Sequence, residues 1–179
     1  MNINVFYGPM KCGKTTKLLN EFKIQQDFGY DVKLFKPSID TRFDKNKIVS
    51  RTGSSANAIN IDSIDDLKNY SADVYLIDEF QFLDGNLEII QNLANQGKKF
   101  FIYGLNLTSD KKNFGKMNEI INMADSCNLI TSTCQICQKE TALFSFFKGE
   151  KNTDIVLGDE EYIPVCANCY EQQKLKFNQ

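Results

Sequence analysis

The sequence predicts an α/β fold in which a parallel β-sheet lies between two layers of helices, followed by a small C-terminal lobe. Two observations predict the main domain: strand-like and helix-like segments alternate along it, and a glycine-rich turn joins the first strand to the first helix. Two closely spaced cysteine pairs predict the lobe. We therefore expect a main domain over residues 1–133 and a lobe over residues 134–179.

The composition limits the possible classes of protein. Of the 179 residues 42% are hydrophobic, so the chain can bury a core. The formal net charge is −2, which argues against a protein that coats a polyanion. No apolar run approaches ~18 residues and no basic leader precedes one, so we expect no signal peptide, no membrane partner and a cytoplasmic location with reduced cysteines. Histidine is absent, which leaves acid–base chemistry to carboxylates and metal binding to thiolates or oxygens.

The first strand and helix flank a P-loop pattern. Residues 2–7 are β-branched and aromatic, as in a strand, and residues 16–27 carry apolar positions at helical spacing before Gly29. The turn between them matches glycine, four residues, then Gly-Lys-Ser/Thr. A chance match is the alternative, but the flanking elements favour binding of a nucleoside triphosphate. The expected binding residues are Gly8, Pro9, Met10, Lys11, Cys12, Gly13, Lys14 and Thr15.

The chemistry of phosphate binding explains this spacing. Gly8 and Gly13 allow successive backbone N–H groups to point at one anion, and the helix that follows adds the positive end of its dipole. Lys14 carries a full positive charge to the outer phosphates. The hydroxyl of Thr15 is a hard oxygen ligand that suits Mg²⁺. Cys12 is interpreted as a small P-loop residue rather than a nucleophile.

The next segments lead to a second acidic strand end. A strand over residues 31–35 precedes residues 38–56, which are poor in apolar residues and predict a long mobile loop, either functional or merely solvated. A strand over 58–61 and a helix over 63–69 follow. The apolar run 72–77 predicts a strand buried on both faces, with Asp78 at its end as a Mg²⁺ ligand.

Glu79 is the candidate general base. It lies one residue beyond Asp78, so its side chain points in a different direction and could take a proton from an attacking hydroxyl or water. An acidic turn after a strand is the alternative. Beyond it we predict a helix over 83–96, a strand over 99–103, a loop over 104–116 at the same sheet edge as the P-loop, a helix over 117–124 and a strand over 127–132.

Two C-x-x-C pairs predict a structural zinc site in the lobe. The four ligands are Cys134, Cys137, Cys166 and Cys169. Residues 141–147 and 153–157 between them are predicted to form a short hairpin. A thioredoxin-like redox pair is the competing interpretation, but it requires a βαβ context that is missing here.

Three functional classes fit these residues: a kinase, an ATPase whose zinc lobe grips nucleic acid, and a nucleotide sensor without turnover. From Cys134 to Tyr170 the lobe carries three lysines against six acidic residues. A surface that binds nucleic acid should be basic, whereas this lobe is acidic. A lid over a small substrate is therefore favoured, and no nucleic-acid partner is expected. A sensor would give Glu79 no role.

Motifs along nearly the whole chain resemble the zinc-containing, cellular-type (type II) thymidine kinase family, whose fold is RecA-like. The matching residues are 8–10, 13–15, 36–37, 40–42, 50–53, 78–82, 103–105, 114–115, the four cysteines, 162–166 and 169–170. The resemblance implies transfer of the γ-phosphoryl group of ATP to the 5′-hydroxyl of thymidine or deoxyuridine, with Glu79 as base and Asp78 and Gln81 beside it in the nucleotide site. Lys14, Mg²⁺ and Arg42 would supply positive charge.

The resemblance also implies a lasso-like lid, a nucleoside pocket and a homotetramer. The lid would span residues 155–165. The residues that would contact the nucleoside are Met10, Leu105, Phe114, Ile155, Gly158 and Tyr162. The chain departs from the family at Ser109 and Asp110, where phenylalanine followed by arginine or glutamine is usual, and at Leu157, where glycine is usual. Loss of a ring that stacks on the base suggests a broader substrate range, as in a relaxed-specificity deoxynucleoside kinase.

Overall fold

The computed structural model describes residues 2–41, 44–149 and 161–177. In chain order the main domain contains β1 (Ile3–Tyr7), α1 (Lys14–Asp27), β2 (Val32–Pro37), β3 (Lys47–Val49), β4 (Ser55–Asn57), β5 (Ile59–Ile61), a 3-10 helix (Ile64–Asn69), β6 (Val74–Ile77), a second 3-10 helix (Phe80–Phe82), α2 (Glu88–Asn95), β7 (Lys99–Gly104), α3 (Met117–Met123) and β8 (Ser126–Leu129). None of the described helices is long and apolar enough to cross a membrane.

Six of these strands form one parallel sheet in the order β5-β2-β6-β7-β1-β8. β7 therefore lies between β1, which enters the P-loop, and β6, which ends at Asp78. Because the strands are parallel, the loops that follow β1, β6 and β7 emerge at one edge of the sheet. This confirms the predicted α/β fold class and the shared edge of the three loops.

The sheet is covered on both faces by separate apolar clusters. β6 is buried along its whole length, and its residues alternate between the two clusters because side chains in a strand alternate in direction. Val74 and Leu76 pack with Leu18 of α1 on one face. Tyr75 and Ile77 pack with residues of α2 and α3 on the other face. The prediction of a strand buried on both sides is confirmed.

Two predictions in the main domain are wrong in detail. Residues 38–56 are not one long irregular loop, since β3 and β4 pair within them as an antiparallel hairpin whose turn contains Gly53 at φ 89°. The helix predicted from residue 83 begins at Glu88, because the chain first turns at Gly85 and the side chain of Asn86 accepts a hydrogen bond from the N–H of Glu88 at 2.9 Å. Strands of three residues and local caps leave little periodic signal.

The C-terminal part of the chain contains β9 (Ser132–Thr133), which directly precedes the predicted lobe and pairs with β10 (Thr141–Ala142), then β11 (Phe144–Phe147), β12 (Tyr162–Val165) and α4 (Ala167–Phe177). The predicted strand over 127–132 is split between β8 and β9. β11 pairs with β12 from Phe144↔Val165 to Phe147↔Tyr162, and the N–H of Lys148 donates to the carbonyl oxygen of Glu161 at 2.9 Å. Residues 153–157, the second half of the predicted hairpin, lie outside the described residues.

Candidate active site

The P-loop takes a backbone path that only glycine allows at one point. Gly8 has φ 155°, and a Cβ atom there would lie 1.9 Å from the carbonyl oxygen of Ile130. Lys11 adopts the left-handed conformation at φ 61°, which is uncommon outside glycine. This path brings the loop against the segment that follows β8, and α1 starts directly after it at Lys14.

Lys14 is held at the centre of this loop. The side chain is buried, and its Nζ donates to the carbonyl oxygens of Gly8 at 3.0 Å and Pro9 at 2.6 Å. The sulfur of Cys12 lies 3.6 Å from the same nitrogen. A buried ammonium group surrounded by loop carbonyls is fixed in position and presents its charge where the loop would receive a phosphate.

Thr15 and Asp78 meet across the cleft. The hydroxyl of Thr15 donates to Oδ2 of Asp78 at 3.3 Å, and the backbone N–H of Asp78 donates to the carbonyl oxygen of Phe35 at 3.0 Å. Asp78 is 4% exposed. A hydroxyl and a carboxylate in contact are the hard oxygen donors that Mg²⁺ prefers, so this pair fits the ion predicted from the sequence.

Glu79 is held by Gln81. Its backbone is left-handed, with φ 49° and ψ 40°, which turns its side chain away from the direction that the strand would give it. Gln81 is buried, its Oε1 accepts from the N–H of Leu105 at 2.9 Å, and its Nε2 donates to the Glu79 carboxylate at 2.5 Å. The contact with Leu105 fixes the orientation of the amide, so the amide nitrogen faces the carboxylate.

Lys14, Thr15, Asp78 and Glu79 all line one cleft of about 230 Å³. Its walls are the P-loop, the end of β2, the β3–β4 hairpin, the end of β6 and Leu105. The charged residues that line it are Lys11, Lys14, Lys36, Lys47, Arg51, Asp40, Asp78 and Glu79. Five cations face three carboxylates, an arrangement that favours a polyanionic ligand together with a divalent cation.

Lys36 is a lining residue that the sequence analysis missed. It is 2% exposed, and its Nζ donates to the carbonyl oxygens of Asp44 at 2.7 Å and Lys47 at 3.1 Å. The ammonium group therefore holds the start of the β3–β4 hairpin against the cleft. The available signal was a lysine within the otherwise apolar end of β2, directly before Pro37.

The described residues among those predicted to contact the nucleoside lie in the cleft, in a neighbouring cavity and in the lobe. Met10 and Leu105 line the cleft beside Glu79. Phe114 lines a neighbouring cavity of about 390 Å³ and packs edge-on against Phe82, with ring centroids 5.3 Å apart. Tyr162 packs in the lobe against Phe147, at a centroid distance of 4.8 Å.

Three predicted site residues lie outside the described residues. They are Arg42, Ile155 and Gly158.

The four predicted zinc ligands form one cluster. The sulfur atoms of Cys134, Cys137, Cys166 and Cys169 all lie within 4.8 Å of one another, and the Cys137 and Cys166 sulfurs are 4.0 Å apart. Tetrahedral Zn²⁺ with bonds of about 2.3 Å requires sulfur separations of about 3.8 Å, so this donor set fits the ion.

The thiols of this cluster are in unequal electrostatic environments. Burial opposes ionisation of Cys134, but the N–H groups of Cys137, Cys166 and Ile136 outweigh it and lower its pKa to about 6. Burial and the neighbouring thiols raise the pKa of Cys169 to about 12. Four thiols this close need a cation before all can ionise, which agrees with a metal site.

The lobe also contacts the P-loop directly. The backbone N–H of Met10 donates to the hydroxyl of Ser145 in β11 at 2.9 Å, and Ser145 is buried. This contact was not predicted from the sequence, where the available signal is a serine between Phe144 and Phe146. The lobe therefore forms part of the wall beside the phosphate-binding loop.

The fold and site together define a P-loop protein of the α/β class with a four-cysteine lobe. The family model described as thymidine kinase matches residues 1–170, and the chain belongs to this family. Over 175 residues it is 33% identical to a thymidine kinase of Porphyromonas gingivalis, an alignment that covers 96% of this chain and 85% of that protein.

One further relative is similar in sequence over nearly the whole chain, and one solved structure is only weakly similar. Thymidine kinase 1 of Dictyostelium discoideum is 30% identical over 182 residues, which cover 98% of this chain and 80% of that protein. The structure of AMPPCP-bound DnaA from Aquifex aeolicus is 18% identical and covers 72% of this chain and 40% of that chain, with a TM-score of 0.44. That score is too low to support any inference about this chain.

Proposed function

We propose that this chain is a thymidine kinase that transfers the γ-phosphoryl group of ATP to the 5′-hydroxyl of thymidine or deoxyuridine. The observation that carries the proposal is the hydrogen bond from Gln81 to Glu79 at the edge of the P-loop cleft, in a member of the thymidine kinase family. It gives the cleft an oriented carboxylate beyond the phosphate-binding loop. We propose a main domain over 1–133 and a lobe over 134–179.

The P-loop would bind the phosphates of ATP. Its N–H groups and the N-terminus of α1 supply partial positive charge, and Lys14 supplies a full charge that its carbonyl contacts already hold in place. Phosphoryl transfer depends on positioning and charge neutralisation more than on covalent assistance. Arg42 would add a second cation on the γ-phosphate side.

Thr15 and Asp78 would hold Mg²⁺, which neutralises charge on the β- and γ-phosphates when it is bound. Their contact places a hydroxyl and a carboxylate at the junction of α1 and β6, so the two ligands need no large rearrangement. Gln81 and Asp78 would complete the nucleotide site around Glu79.

Glu79 would act as general base. Its carboxylate takes the proton of the nucleoside 5′-hydroxyl while that oxygen forms a bond to the γ-phosphorus, and the bond from phosphorus to the β-bridging oxygen breaks to release ADP. Gln81 keeps the carboxylate aimed through its bond at 2.5 Å. Exclusion of water by the lobe would favour the nucleoside as acceptor.

The nucleoside would lie between the cleft and the lobe. Met10 and Leu105 would contact it from the cleft, Phe114 from the loop that follows β7, and Tyr162, Ile155 and Gly158 from the lid. We further propose that Zn²⁺ bound by the four cysteines fixes the lobe. The expected homotetramer, cytoplasmic location and absence of nucleic-acid and membrane partners belong to the same proposal and rest on the family resemblance and the acidic lobe.

A panel of nucleosides tests this proposal. Purified protein is incubated with ATP, Mg²⁺ and each nucleoside, and both nucleoside monophosphate and free phosphate are quantified. We expect monophosphate from thymidine and deoxyuridine, and none from Lys14→Met protein. Phosphate release without monophosphate, or release stimulated by single-stranded DNA or RNA, would instead support an ATPase. Comparable rates with purine and pyrimidine deoxynucleosides would indicate a relaxed-specificity deoxynucleoside kinase.

A further inference from the structure

The loop that follows β7 is attached to the zinc lobe at several points. We refer to residues 105–115 as the substrate loop. One end lines the cleft at Leu105, and the other passes Gln81 so closely that a Cβ atom on Gly115 would lie 2.1 Å from the Gln81 carbonyl oxygen. Between these ends the loop extends to the lobe.

Tyr170 forms the first attachment. Its hydroxyl donates to the carbonyl oxygen of Ser109 at 2.6 Å, and the residue is 3% exposed. It directly follows the proposed zinc ligand Cys169, and its own N–H donates to the carbonyl oxygen of Cys166 at 2.9 Å. The phenol is thus fixed by the cysteine-rich turn at one end and by the substrate loop at the other.

Lys111 forms the second attachment. Its backbone is left-handed at φ 62°, and its Nζ lies 4.0 Å from the ring centroid of Tyr170 and 4.4 Å from that of Phe144. The same nitrogen pairs with Glu171 of α4. An ammonium group over two rings and beside a carboxylate is a stabilising arrangement.

These contacts join the middle of the substrate loop to the lobe through one backbone carbonyl, that of Ser109, and through the side chain of Lys111. The connection is continuous: Cys169 is bonded to Tyr170, Tyr170 contacts Ser109, and the loop leads back to Leu105, whose N–H binds Gln81, the partner of Glu79.

We propose that Tyr170 and Lys111 are positioning residues through which the four-cysteine site sets the geometry of the substrate loop, and with it the affinity for the nucleoside. The effect on affinity rests on the proposed function, whereas the physical connection does not. Neither residue is among the described residues that line the P-loop cleft, so they act through the loop and not on the reacting atoms.

Hydrogen exchange tests the connection without any assay of activity. The loop has three internal bonds between backbone groups, from the N–H groups of Thr108, Lys111 and Phe114 to the carbonyls of Lys112, Thr108 and Asn106. In full-length zinc-loaded protein, Tyr170→Phe should accelerate exchange of these amides by roughly fivefold, the effect of one hydrogen bond. Removal of zinc by a chelator should accelerate the same amides.

Tyr75→Phe is the matched control. The Tyr75 hydroxyl also donates to a backbone carbonyl, that of Tyr70, at 2.6 Å. Tyr75, however, belongs to β6, and its side chain packs in the apolar cluster on one face of the sheet. We expect this variant to leave loop exchange unchanged. Equal exchange of the loop amides in wild-type and Tyr170→Phe protein, or an equal acceleration by Tyr75→Phe, overturns the proposal.

Steady-state kinetics test the effect on the reaction. Tyr170→Phe and Lys111→Met should each raise KM for thymidine by roughly fivefold while kcat and KM for ATP stay within about twofold. Lys111→Arg keeps a cation over the rings and should restore KM. A fall in kcat with unchanged KM overturns the positioning role. Absence of nucleoside phosphorylation by wild-type protein refutes the proposed function, and the exchange experiment then still decides the connection.

Discussion

The hydroxyl of Thr15 donates a hydrogen bond to Oδ2 of Asp78 at 3.3 Å, although the two residues are 63 positions apart. One residue opens α1 and the other follows β6, and β7 separates their strands in the sheet. The pair therefore joins two halves of the cleft at the position proposed for Mg²⁺. The first prediction concerns this pair.

Thr15→Val should raise the Mg²⁺ concentration required for half-maximal rate by at least about tenfold, equivalent to about 1.4 kcal/mol. The valine fills a similar volume but supplies no oxygen. Thr15→Ser keeps the hydroxyl and serves as control. Titration of the initial rate with Mg²⁺ at fixed ATP measures the effect, and identical titrations for the valine and serine variants would exclude the hydroxyl as a ligand.

Glu79→Gln should lower kcat by about 10²-fold or more, the usual contribution of a general base, while ATP binding is retained. The amide can still accept a hydrogen bond from Gln81, so the local structure should persist. Glu88→Gln, which changes an exposed acid at the start of α2, is the control. Rapid-quench measurement of monophosphate and calorimetry with ATP report the two effects. A near-normal kcat would remove Glu79 from the mechanism.

Cys166→Ser should reduce zinc from one ion per chain to a small fraction and lower the thermal midpoint of the protein. A hydroxyl is a poor replacement for a thiolate, and structural zinc contributes directly to folding. Cys127→Ser is the matched control because Cys127 is exposed in β8 and lies outside the four-sulfur cluster. Elemental analysis with thermal unfolding gives both readouts, and full zinc retention in the Cys166 variant would contradict the assignment.

Gly115→Ala should destabilise the fold by about 2–4 kcal/mol, since it combines a left-handed backbone with a close contact. Gly115 has φ 52°, and its added Cβ would meet the carbonyl oxygen of Gln81. Gly97→Ala isolates the backbone effect because φ is 88° there and no atom lies within 4 Å of the added Cβ. We expect about 1 kcal/mol for that control. Urea unfolding compares the two, and equal losses would rule out the contact as a cause.

Local patterns predicted the elements whose signals lie within one segment. The apolar run from Val74 to Ile77 identified β6 because a strand buried on both faces needs no polar residues. The P-loop pattern identified the turn before α1, and the spacing of the cysteines identified a cluster whose sulfurs indeed meet. These features depend on chemistry that acts over a few residues.

Contacts between distant residues were not predictable from such patterns. Ser145 contacts Met10 across 135 positions, and Tyr170 contacts Ser109 across 61. Nothing local distinguishes these side chains from other polar residues near aromatic ones. The burial of Lys36 likewise depends on carbonyls of the β3–β4 hairpin, whose three-residue strands are too short to show a period.

The pairing of β11 with β12 affects how far the length of the stretch between these strands can vary. Lys148 and Glu161 are joined by a backbone hydrogen bond, so the stretch between them begins and ends at one point. The entropy of closing such a stretch grows only with the logarithm of its length, by about 0.6 kcal/mol for each doubling. A change in the length of this stretch therefore costs little, while the β11–β12 ladder and the sulfur cluster, whose partners all lie outside it, keep their geometry.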